Sequence, residues 1–176
     1  MKKIIILFLL AIQFVSAQTK LDSLVFGKVN QYRIENGLKE FKFDTVCFKS
    51  SKHHTSYLYR KNLAVWPNSF CGHSEDTLKD HNDRYKFYSN NKRFLHLGEV
   101  SQSISKNYKV IDTDYLDKMA SSIVDAWKSS PKHNELILKS DFLFGGVSCQ
   151  YFTKSCGINT YLNYRIVATM LLVKNN

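Results

Sequence analysis

Proline is nearly missing from this chain: there are two in 176 residues, alongside seven glycines and four cysteines. No Pro-rich linker is therefore available, and neither internal repeats nor low-complexity tracts appear, so no domain boundary is expected. The sequence also lacks G-x-S-x-G, H-E-x-x-H and any Gly-rich phosphate loop. Their absence removes the serine-hydrolase elbow, the zincin helix and the nucleotide cradle from consideration. His73-Ser74-Glu75 matches one half of the zinc-deaminase signature, but the P-C-x-x-C half is missing. No cysteine pair has C-x-x-C spacing, which excludes thioredoxin-like redox chemistry and a zinc ribbon. The formal charge is +10, yet no Lys/Arg run is long enough to form a nucleic-acid stripe, so no nucleic-acid partner is expected. Attraction of anionic glycans or lipid headgroups, or plain solubility, accounts for such a balance.

The N-terminus sets the expected compartment. Lys2 and Lys3 precede an apolar run from Ile4 to Val15, and Val15-Ser16-Ala17 supplies small residues for a signal peptidase. Residues 1–17 read as a signal peptide, cleaved after Ala17 and followed by Gln18 rather than a lipid-accepting cysteine. The apolar run is short for a membrane span, and no later run approaches that length. Residues 18–176 are expected to form one exported domain, secreted or periplasmic, without a membrane span. A chain of that size buries roughly 70% of its unfolded surface. In an oxidising compartment Cys47, Cys71, Cys149 and Cys156 suggest two disulfides, with three pairings open. A local Cys149–Cys156 bridge across an expected turn is the easiest, and it leaves Cys47 with Cys71.

Periodicity marks three helices. Leu21, Leu24, Val25, Val29 and Tyr32 form one apolar stripe that ends at Asn36-Gly37. Asp44 is placed to cap a second helix over residues 45–60, on which one of His53 and His54 points inward and the other outward. Leu116, Met119, Ala120, Ile123, Val124 and Trp127 define the third, behind capping candidates Thr113 and Asp114. It stops at Ser129-Ser130-Pro131, where Pro131 suits the first position of a short new helix with His133 in its first turn. Residues 142–151 and 164–173 read as strands. Residues 63–112 show no clear pattern and are expected to be a long functional loop holding His73 and Glu99. Within it, the aromatic and basic residues from Arg84 to Phe94 form a candidate binding surface. His81 and His96 read as surface groups. Helices followed by strands predict an α+β fold with a mixed sheet.

Taken in order, these residues resemble a known family. The helix carrying Val29-Asn30-Gln31-Tyr32-Arg33, the early His73, Gly98-Glu99, the junction from Trp127 through Ser130-Pro131 to His133, and the Gly145-Gly146-Val147 strand are similar to the CAP superfamily. That superfamily comprises cysteine-rich secretory, antigen 5 and pathogenesis-related-1 proteins, also called SCP/TAPS, and the bacterial form is the nearest in pattern. The resemblance covers about residues 21–173. It implies a three-layer α-β-α sandwich with a mixed, mainly antiparallel sheet. It also implies a cleft lined by His73, Glu99 and His133. Ser130 stands where many eukaryotic members have glutamate, and Val100 stands where the family's Gly-Glu-Asn motif has Asn, so the His-Glu-Glu-His tetrad is incomplete.

Two neutral imidazoles, His73 and His133, with a carboxylate could hold Zn²⁺ and leave an open position for water. Glu75 could then assist as a base or as an orienting group. Two readings follow. One is an exported module that binds a lipid, glycan or protein ligand through the cleft; the other is a metal-dependent hydrolase using the same residues. The binding module is the expected one.

Overall fold

A computed structural model describes residues 20–65, 71–90, 96–109, 114–155 and 161–174. The expected signal peptide and Cys156 lie outside the described residues, as does part of the segment from Arg84 to Phe94. In chain order the elements are α1 (Lys20–Glu35), β1 (Lys42–Phe43), α2 (Thr45–Ala64), α3 (His81–Tyr88), β2 (His96–Lys109), α4 (Tyr115–Ser129), α5 (Pro131–Ile137), β3 (Phe142–Ser155) and β4 (Tyr161–Lys174). The sheet order is β1-β3-β4-β2, parallel only between β1 and β3. Helices cover both faces. The α+β sandwich with a mixed, mainly antiparallel sheet is thus the observed fold.

The larger core lies between the sheet and α1, α4 and α5. Leu21, Val25 and Val29 of α1 meet Met119, Ile123 and Trp127 of α4 over Ile166, Met170 and Leu172 of β4. Side chains alternate along a strand, so Leu171 and Val173 point the other way, where they pack with Cys47 and Leu97 beneath α2. The contact between α2 and the sheet is close and partly polar. Ser51 Oγ donates to the Gly146 carbonyl at 2.7 Å, and Thr55 Oγ1 donates to the Ser148 carbonyl at 3.0 Å. A Cβ on Gly146 would lie 2.2 Å from the Phe48 backbone nitrogen, so only glycine lets the helix approach this far.

The motif on α1 is a set of anchors. Asn30 exchanges two hydrogen bonds with the backbone of Phe41, at 2.9 and 3.1 Å, and so holds the start of β1. Arg33 is buried and donates to the carbonyls of Lys39, Ile137, Lys139 and Phe142. It thereby satisfies the C-terminal end of α5, where helix carbonyls lack partners. Tyr32 Oη donates to Asn134 Oδ1 at 2.9 Å, which fixes α5 from the other side.

The cysteine expectation needs correction. Cys47, Cys71 and Cys149 are free thiols, and no disulfide forms among the described residues. Cys47 packs beside Leu97, whereas the Cys71 thiol is hydrogen-bonded beside Ser101 and Ser103. Cys149 is a free thiol on β3, a strand that runs on through Ser155 rather than turning after Tyr151. Its backbone N–H donates to Asp22 Oδ1 at 2.6 Å. Burial pushes the Cys47 and Cys149 thiols well above the ordinary thiol range.

Candidate functional site

The described part of residues 63–112 holds regular elements where one long loop is expected. It contains the end of α2, then α3, and the 14-residue strand β2. Asp80 starts α3 by accepting from the N–H groups of Asn82 and Asp83 at 2.8 and 3.0 Å, an N-cap arrangement. The inward residue of this short helix is Arg84, which is fully buried.

Gly98 and Glu99 serve opposite sides of β2. A Cβ on Gly98 would lie 3.0 to 3.2 Å from Phe142 and Leu136, so the missing side chain makes room for α5. Glu99 points toward α2 and α3, with a side chain only 1% exposed. Its Oε1 accepts from His73 Nδ1 at 2.9 Å and its Oε2 from Arg84 Nη2 at 2.5 Å. Arg84 Nη1 reaches Glu75 Oε1 at 3.0 Å. Glu75 Oε1 also meets His54 Nδ1 at 2.8 Å, and its Oε2 lies 3.2 Å from His53 Nε2. One guanidinium therefore spans two buried carboxylates, and three histidines surround them.

His133 joins from the other layer. Trp127, fully buried, closes α4; Ser130 turns the chain in an extended conformation, and Pro131 opens α5. Ser130 caps through its backbone carbonyl, which accepts from Asn134 N at 2.8 Å, and not through its side chain. The His133 ring lies 6.4 Å from the His73 ring, centre to centre, at 70°. Its Nδ1 is buried without a partner among the described residues. Burial, and then the nearby His73, hold the His133 imidazole below the ordinary histidine value, so it sits in the cleft neutral.

His73 touches Glu99, and His133 stands beside His73; Glu75 lies behind them and is fixed by Arg84. Arg84 is the member that periodicity does not single out; His54 falls on the inward face of the second helix, where packing is the expected role. The segment from Arg84 to Phe94 was read as a binding surface, yet Arg84 points into the protein, while Phe87 is exposed. Of the adjacent pair on α2, His54 is the inward one, and it meets charge rather than apolar core. His53, the outer one, joins the network and contacts Tyr88 Oη at 2.9 Å. His81 is half-buried rather than on the surface, and the His96 side chain lies outside the described residues. An apolar recess of about 530 Å³ lies elsewhere, lined by Leu21, Tyr59, Leu116 and Tyr151 among others.

A resident zinc ion fits this donor set poorly. A catalytic zinc takes three protein ligands and keeps one open position. Among the described residues no three His, Cys, Asp or Glu side chains converge on a metal position. Two imidazoles sharing a tetrahedral zinc would bring their ring centres to about 5 Å, nearer than the 6.4 Å found here. Both oxygens of Glu99 are already engaged by His73 and Arg84.

The Glu99 carboxyl titrates low. Burial alone would raise it, but the His73 hydrogen bond, the Arg84 charge and the neighbouring His54 outweigh that and hold it below its ordinary value of 4.5. A depressed carboxyl contributes stability above its unfolded value and loses it as the pH falls through the folded value. The stability difference between wild type and Glu99→Gln is thus expected to stay constant above about pH 4.5 and shrink below it. Urea unfolding from pH 7 to pH 2.5 measures this directly; a difference that does not move with pH would contradict the assignment.

Comparison with known proteins bears on the family and the fold. The cysteine-rich secretory protein family (CAP) matches residues 26–164. No curated protein matches the chain. Among solved structures, an extracellular protein with an SCP domain from Bacillus anthracis superposes with a TM-score of 0.59 at 17% identity. The match covers 88% of this chain and 40% of that protein. An outer surface protein from Borrelia burgdorferi gives a TM-score of 0.58 at 16% identity, covering 90% of this chain and 97% of the other. At these identities the likeness is one of fold.

Proposed function

Because the chain belongs to the cysteine-rich secretory protein (CAP) family, we propose that it is an exported binding module whose cleft is lined by His73, Glu99 and His133. One observation carries the reading: the Glu99 carboxylate beside His73 is already held in an ion pair with Arg84. What the cleft offers a ligand is then a pair of imidazoles over an ion-paired carboxylate. Such a surface makes hydrogen bonds without a strong field, and it suits a hydroxyl-bearing ligand such as a glycan better than a lipid headgroup or a charged peptide. No described helix is long and apolar enough to cross a membrane. The structural relatives in Bacillus anthracis and Borrelia burgdorferi are described as extracellular and outer-surface proteins, in keeping with export.

The alternative, a hydrolase with zinc held by His73 and His133, makes opposite demands. Elemental analysis of protein purified without chelator is expected to find far less than one zinc per chain. Soluble oligosaccharides titrated with and without EDTA should bind equally, and His133→Ala should weaken that binding by removing one of the two imidazoles. Added zinc should produce no ester hydrolysis above the blank. Stoichiometric zinc, together with turnover that His133→Ala abolishes, would replace the binding reading with the hydrolase.

A further inference from the structure

His54 is fully buried on α2, and both of its ring nitrogens are hydrogen-bonded. Nδ1 lies 2.8 Å from Glu75 Oε1, and Nε2 lies 2.6 Å from the Gly72 carbonyl oxygen. A carboxylate and a backbone carbonyl only accept hydrogen bonds, whereas a neutral imidazole has one donor and one acceptor. With two acceptors in contact, the ring must donate from both nitrogens. Glu75 cannot supply the missing proton at low cost, because the same oxygen accepts from the Arg84 guanidinium at 3.0 Å. A guanidinium favours the ionised carboxylate.

We infer that His54 is held as an imidazolium, and that His54 and Arg84 are two resident cations closing a charge-neutral quartet with Glu75 and Glu99. The members come from four places: His54 from α2, Glu75 from the loop before α3, Arg84 from α3 and Glu99 from β2. His54 Nε2 is also 4.0 Å from Glu99 Oε1, so each cation faces both carboxylates. The surroundings are Tyr57, whose ring stacks on His54 at 15°, and His53, which reaches the outer oxygen of Glu75 at 3.2 Å. Two positive and two negative charges cancel, which is how buried ions avoid an unpaid desolvation cost. The quartet holds the two carboxylates as a divalent metal would, with cations built into the chain.

The quartet acts on the cleft through Glu99. As an ionised acceptor, Glu99 accepts a hydrogen bond from His73 Nδ1–H, so neutral His73 is the Nδ1–H tautomer. Its Nε2 is then the lone-pair nitrogen left for a ligand, on a side chain that is 48% exposed. His54 is a positioning residue: it acts on His73 through the carboxylates and through the carbonyl of Gly72, the residue before it. The inference concerns how the site is held together and stands apart from which ligand, if any, the cleft binds.

Long-range ¹H–¹⁵N correlation spectra of ¹⁵N-histidine-labelled protein at pH 7.5 test this directly, with His54 assigned by its loss in His54→Gln. Both His54 nitrogens are expected at imidazolium shifts, with His73 in the Nδ1–H form. A His54 nitrogen at the lone-pair shift, or His73 as the Nε2–H tautomer, would overturn the inference. In Glu75→Gln, His54 should lose one proton while the protein stays folded at low temperature; a His54 that keeps both protons there would count against it. Addition of zinc chloride should leave the His54 signals in place, and loss of its Nδ1 proton to the metal would also overturn it. The wild-type spectrum decides the matter even where a variant fails to fold.

Discussion

Arg84→Gln is expected to lose about 3–5 kcal/mol of folding stability, the range for removing one partner of a buried ion pair. Arg84 is fully buried and its two terminal nitrogens reach Glu75 and Glu99 at the same time. It also lies within 3.4 to 3.5 Å of the carbonyls of His73 and Leu78, so it organises the loop that carries His73. Glutamine is neutral and too short to span both carboxylates. Two buried carboxylates would then keep only the surrounding histidines as partners, and the fold must admit water or protonate one of them. Urea denaturation at pH 7 reads the loss. A change under about 1 kcal/mol, the level of an exposed pair, would mean that the carboxylates reach solvent and that the buried cluster is misdescribed. Arg84→Lys should fall between the two, because an ammonium restores the charge but not the planar fork.

Trp127→Ala is expected to cost about 3–5 kcal/mol as well, by a different route. Trp127 is the largest fully buried side chain and lies in the cluster with Met119 and Ile123. Truncation leaves a cavity in the core between α1, α4 and the sheet, and for a chain of this size lowers the melting temperature by roughly 6–20 °C. The indole N–H has no partner among the described residues. Trp127→Phe therefore forfeits no hydrogen bond and should cost clearly less than the alanine variant. The site should feel the change too, because α5 begins four residues after Trp127 and carries His133 in its first turn. A shift of the His133 imidazole resonances in Trp127→Ala, absent from Trp127→Phe, is the expected sign. Equal destabilisation by the two variants would show that packing volume is not what Trp127 contributes.

How far the sequence could be read depended on what each segment buries. The stripe from Leu116 to Trp127 predicted α4 nearly to the residue, because its inward face is wholly apolar and helical periodicity records it. The terminal strand was legible for a similar reason: β4 lies between β3 and β2 and is buried on both faces. β2 was not legible. Its apolar residues are Leu97, Val100 and Ile104, while Glu99 and Ser101 are just as buried against polar partners. A strand face that buries polar groups looks, to a reader of hydropathy, like a solvated loop. α3 was missed on the same ground, since the side chain it turns inward is an arginine.

The cysteines failed for a separate reason. An even count in an exported chain makes disulfides a fair expectation, but pairing is a matter of distance, and distance is set by which strand residues each thiol lies against.

From sequence alone came the α+β class, the helix junction that presents His133, and the trio of His73, Glu99 and His133, carried by local patterns of apolar spacing, capping and motif order. The tertiary structure decided the electrostatics of the site. Arg84 and His54 reach Glu75 and Glu99 across long stretches of chain, and no local pattern encodes that meeting. The cost of burying a charge depends on its neighbours in space. That is why the residues of the cleft could be listed from the sequence, while the cations that balance them appear only once the chain is folded.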